Sequence, residues 1–138
     1  MTYHFLLIPF IALLITQSIK LLLFAREGKF SWKDFDSYGG MPSSHAAFMS
    51  AALTESYQAY GFESPTFALV AFLTFIVLRD AVGLRMTIGK HAHMINMLVQ
   101  DLPDTQETKY PHLEPRQGHT YAQVFVGFLV GILIASLF

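Results

Sequence analysis

Three clusters in the sequence carry residue types able to do chemistry. The first is Gly39-Gly40-Met41-Pro42-Ser43-Ser44-His45. Its glycines let backbone approach a ligand, its serines can cap a helix or bond an anion, and its imidazole titrates near neutral pH. A helix starting here adds free N–H groups, which favour anions. The same residues also read as an ordinary capped helix start with a surface histidine. The second cluster is Arg116-Gln117-Gly118-His119, directly ahead of an apolar run. Gln123, four residues after His119, falls on the same helical face and is placed to orient the imidazole. The simpler reading is an interfacial histidine anchoring a helix end. The third cluster spans Arg79 to Arg85 and continues to Lys90-His91-Ala92-His93. Arg85 and Lys90 suit phosphate, and Asp80 can orient a cation or a histidine. Asp80 also reads as half of a structural Asp–Arg pair. A metal site from Asp80, His91, His93 or the acidic 101–107 loop is the third possibility. The two-residue spacing of His91 and His93 puts them on different helix faces and weakens it.

Taken together, the clusters suit phosphoryl transfer from a monoester or anhydride. Cations and backbone amides neutralise the phosphoryl oxygens. One histidine attacks phosphorus while the other protonates the leaving oxygen. Such chemistry calls for no metal and no other cofactor.

The elements that must position these residues follow from composition. The chain has 138 residues, 53% hydrophobic and 14% charged. A soluble domain carries about 25% charged residues, so this chain lacks the polar surface that water requires. Thirteen Phe and a mean hydropathy of +0.42 point the same way. A net charge of −1 argues against a nucleic-acid partner, and the absence of cysteine excludes disulfides and thiolate chemistry. The class that remains is a small all-α integral membrane bundle forming one domain over 1–138.

Residues 5–25 form an apolar stretch of spanning length. It lacks the basic flank and cleavage site of a signal peptide, so it reads as a retained helix. Further helices are expected over about 44–60, 65–82 and 119–138, giving four spans. An amphipathic interfacial helix is expected over 83–100. The second helix, rich in Ala and Ser but carrying Thr54, Glu55 and Gln58, should be surrounded by protein. All nine Lys and Arg lie at one end of this layout. The positive-inside rule then makes both long loops cytoplasmic and puts both termini outside, in a plasma membrane of bacterial type. An anion-binding site would gather the same charges without fixing the compartment. The GxxxG spacing of Gly127 and Gly131, or the small residues of the second helix, predicts homodimer contacts.

Three blocks resemble the divergent membrane branch of the phosphatidic acid phosphatase type 2 superfamily: GGMPSSHAA, RDAVGLRMTIGKHAHMIN and GHTYAQVFVGFLVGILIA. The resemblance covers about residues 8–135. It implies a helical bundle and a metal-independent histidine phosphatase acting on a lipid phosphate. By the match, Lys20 and Arg26 are nearest to the first phosphate-binding motif, although the spacing is one residue short and the expected Pro is absent. Pro42-Ser43-Ser44-His45 matches the second motif with Ser for Gly. It implies His45 as general acid and Ser43 and Ser44 as phosphate ligands. His119 matches the nucleophile of the third motif. There Gln123 replaces the usual Asp, and Arg116 stands closer to the histidine than usual. Arg85 and His91 share that motif's Arg-to-His separation, but Ile95 then falls at the Asp position. Asp80 is the carboxylate available to stand in for the missing one as a catalytic residue. The competing reading is a non-catalytic membrane protein that binds anionic lipid headgroups or serves transport or assembly.

Overall fold

The computed structural model describes residues 2–26, 40–102, 109–113 and 118–138, and among these the regular structure is entirely helical. The helices are α1 (Thr2–Arg26), α2 (Ser44–Tyr60), α3 (Pro65–Val82), α4 (Leu84–Gln100) and α5 (Tyr121–Ala135). Local sequence explains their ends. Ser43 caps α2 by accepting from the Ala46 N–H, and Ser64 caps α3 by accepting from the Phe67 N–H, with Pro65 at the first helical position. Gly61 ends α2 with φ of 77°, a conformation glycine adopts without steric cost. Gly83 separates α3 from α4. The last helix starts two residues later than expected because Thr120 and Gln123 form a reciprocal capping box.

The burial pattern inverts that of a soluble protein. The largest fully buried side chains are Thr16, Ser43, Ser50 and Ser56, whereas Leu22, Phe72 and Phe75 are each about two-thirds exposed. Small and polar groups sit inside and large apolar groups outside, which is stable when the surroundings are hydrocarbon. Two stretches are long and apolar enough to cross a bilayer, Tyr3–Arg26 and the α3–α4 run Pro65–Gln100. Tyr121–Ala135 is apolar but shorter.

Helix α2 is central, packed by α1, α3 and α5. Its small face lets them approach: Ala46, Ala47 and Ala51 are fully buried. Gly127 and Gly131 of α5 meet α2 backbone directly. A Cβ on Gly127 would stand 2.9 Å from Ser43 N, and one on Gly131 would collide with the Ala47 carbonyl and the Ser50 hydroxyl. This corrects the expected dimer contacts. The GxxxG face and the small face of α2 are consumed within one protomer, so a homodimer would need another surface. Helix α4 leans on α3 and leaves Leu84, Met94 and Leu98 exposed, as an interfacial helix should.

Candidate active site

The histidine clusters converge because three backbone contacts pull their segments together. The Ser43 N–H donates to the Gln123 carbonyl at 3.2 Å, joining the start of α2 to the first turn of α5. The His119 N–H donates to the Ala81 carbonyl at 2.9 Å, docking the approach to α5 on the end of α3. Gly118, at φ of 90°, lies so close to the start of α4 that a Cβ would stand 2.7 Å from Met86 Cα. His119 is thereby wedged where α3 passes into α4, beside Arg85.

Helix α1 supplies the fourth wall. Lys20 is 4% exposed, far below the norm for lysine. Its stem passes Gly40, where a Cβ would lie 3.3 Å from Lys20 Cδ. Gln17, one turn earlier, accepts a hydrogen bond from the Ser44 hydroxyl at 2.8 Å. The charged groups acting on His45 are Arg85, Lys20 and Asp80. Those acting on His119 are His45 and Lys20. Four side chains from α1, α2, the α3–α4 junction and the entry to α5 therefore share one electrostatic neighbourhood.

Burial holds the His119 imidazole below its ordinary pKa. The Gln123 side chain opposes this, the positive charges of His45 and Lys20 add to it, and the Gly40 backbone opposes it weakly. The neutral ring is the form able to act as a nucleophile. Its Nδ1 is sealed from solvent and has no hydrogen-bond partner. Gln123 stands near the ring, but its side-chain carbonyl accepts from the Thr120 N–H at 3.0 Å. Gln123 thus hydrogen-bonds the ring and caps its own helix, and the Thr120-x-x-Gln123 spacing was the signal for the second role.

Other expected site residues fall differently. Asp80 binds Arg85, with Oδ2 2.6 Å from Nε, rather than His119 Nδ1. It positions a cation, and the stand-in for the missing carboxylate is not realised. Ser43 is fully buried as the α2 cap, so its hydroxyl builds the site instead of lining it. Arg26 and Lys90 are exposed and are not among the charges acting on either histidine. Arg116 lies outside the described residues. His91 and His93 are exposed on α4, and among the described residues no three His, Asp or Glu side chains gather as a metal would need. Most of the acidic 101–107 loop lies outside the described residues. Gln17 is a participant that the sequence motifs did not single out.

A family model described as "Divergent PAP2 family" matches residues 1–134. The chain is 36% identical over 135 residues to the uncharacterized membrane protein YuiD of Bacillus subtilis (strain 168), covering 89% of this chain and 85% of the relative. No solved structure matches.

Proposed function

The chain belongs to the divergent PAP2 family, and from that premise we propose that it is a metal-independent membrane phosphatase acting on a lipid phosphate. The observation that carries this reading is the convergence of His45, His119, Lys20 and Arg85 from four separate segments. Lys20 and Arg85 neutralise the phosphoryl oxygens, aided by the N-terminal end of α2. Asp80 holds the Arg85 guanidinium in place. Because Nδ1 is sealed, His119 Nε2 is the attacking nitrogen. The N–P bond forms as the ester P–O bond breaks, and His45 gives its proton to the leaving oxygen. Water then attacks the phosphohistidine, His45 takes back a proton, and phosphate leaves with His119 restored.

A lipid substrate fits the surroundings. An apolar groove lined by Leu78, Tyr121, Val124, Phe125 and Phe128 runs beside the His119 segment between α3 and α5. Lys20, Arg79 and Arg85 lie toward the site's end of the bundle, and the positive-inside rule supports a site on the cytoplasmic side with both termini outside. The cysteine-free chain suits single-cysteine labelling from either side as the check.

One observation favours a second reading, binding of anionic lipid without turnover. No carboxylate meets His119 Nδ1, so the imidazolium formed during transfer lacks its usual counter-charge. The deciding experiment is phosphate release by purified protein from phosphatidate, phosphatidylglycerophosphate and polyprenyl phosphates in EDTA, beside His119→Ala. Release lost in the variant supports the phosphatase. No release from any substrate by folded protein supports the binder.

A further inference from the structure

A polar cleft with no part in this chemistry opens at the opposite end of the bundle. Glu55 lies ten residues beyond His45 on α2, about 15 Å along the axis. It is 7% exposed, and its Oε1 has neither accessible surface nor a hydrogen-bond partner. A buried carboxyl oxygen without a donor among the described residues is costly, and ionisable residues inside a membrane bundle mark functional positions. Glu55 lines a cleft of about 390 Å³ with His4 and Phe5 from the start of α1, Gln58 and Tyr60 from the end of α2, and Phe138. The Phe5 and Tyr60 rings meet edge to face, with centroids 6.1 Å apart.

We propose that this cleft binds an organic ammonium group, with the Glu55 carboxylate as counter-ion and the Phe5 and Tyr60 rings as its walls. A cation suits the cleft because the Glu55 carboxyl group lines it and Oε1 has no donor among the described residues. Aromatic walls favour an ammonium, which is attracted to ring faces. Calcium or magnesium would instead need about six oxygen ligands, where the described lining offers one carboxylate, and zinc would need three or more His, Asp or Glu side chains, which do not gather among the described residues. The ammonium belongs either to a lipid headgroup or to a free amine, since the cleft sits where the ends of α1 and α2 reach the other membrane surface.

The test is thermal unfolding of the full chain in detergent with ethylammonium chloride, against sodium chloride at equal ionic strength and against ethanol as the neutral analogue. Ethylammonium should raise Tm saturably while the controls do not. The shift should vanish in Glu55→Gln and persist in His119→Ala. Nanodiscs of phosphatidylethanolamine, compared with phosphatidylglycerol, supply the headgroup arm. Stabilisation confined to that arm assigns a lipid, and stabilisation by free ethylammonium assigns a soluble amine. If Glu55→Gln fails to fold, Tyr60→Leu serves, and it should raise the half-saturating ethylammonium concentration several-fold. Equal effects of ethylammonium and both controls with no headgroup effect, or a shift undiminished in the folded Glu55 variant, would overturn the proposal.

Discussion

Replacing Gly127 by Ala tests whether the α2–α5 contact sets the geometry of the histidines. The added Cβ would stand 2.9 Å from Ser43 N and 3.1 Å from Ser43 C, and closer still to the Ser43 carbonyl oxygen. Carbon contacts settle at about 3.5–4.0 Å, so the two helices must part by roughly 1 Å. These neighbours are backbone and cannot rotate aside. Overpacking of this kind costs about 1–3 kcal/mol. Separation also stretches the 3.2 Å bond from Ser43 N–H to the Gln123 carbonyl, which ties the His45 segment to the His119 segment. A misplacement of about 1 Å between reacting groups lowers turnover by about 100-fold. The measurements are thermal unfolding in detergent and phosphate release well below the unfolding range. Gly127→Ala should lose several degrees of Tm and most of its turnover, and Leu129→Ala, on the exposed face of the same helix, should lose neither. Wild-type Tm and turnover in Gly127→Ala would refute the reasoning.

Further expectations follow from single contacts. Asp80→Asn removes the carboxylate that pairs with Arg85 and one of the charges acting on His45. It should raise KM more than it lowers kcat in steady-state assays, with a stability change of about 0–1 kcal/mol because the pair is about a third exposed. Since burial holds the His119 imidazole below its ordinary range, the ascending limb of the kcat/KM profile should lie on the acid side of the usual imidazole pKa of about 6.5. Lys20→Met removes a positive charge that favours the neutral ring, so it should move that limb to higher pH. Asn96→Leu removes two bonds to the Leu113 backbone, at 2.8 and 3.0 Å, each worth about 0.5–1.5 kcal/mol. Limited proteolysis should then cut faster near Leu113 while the helices remain intact.

The helices were legible because long apolar runs, capping serines and Gly or Pro breaks are local signals, as at Ser43, Gly61 and Pro65. His45 and His119 stood out as candidates for a similar reason, as each lies at a helix start with glycine shortly before it. What sequence could not supply was the direction in which polar side chains turn. Asp80 had three candidate partners by spacing, and packing selected Arg85 because Gly83 ends α3 and begins α4 between them. Gln123 lay within reach of both His119 and its own helix cap, and in the packed bundle it serves both. GxxxG spacing is the same for contacts within and between chains, so only the packed bundle revealed that Gly127 and Gly131 face α2. Gln17 needed knowledge that α1 passes the start of α2, a long-range contact with no local signature.

The most direct measurement is to trap the covalent intermediate. Purified protein is mixed with phosphate-labelled lipid substrate in EDTA, quenched in alkali within one turnover, and mapped by mass spectrometry. A phosphoryl group on His119 that disappears in His119→Ala and forms more slowly when His45 is replaced by Asn is the predicted result. Turnover by the wild type with His119 unmodified, or undiminished turnover by His119→Ala, would contradict it.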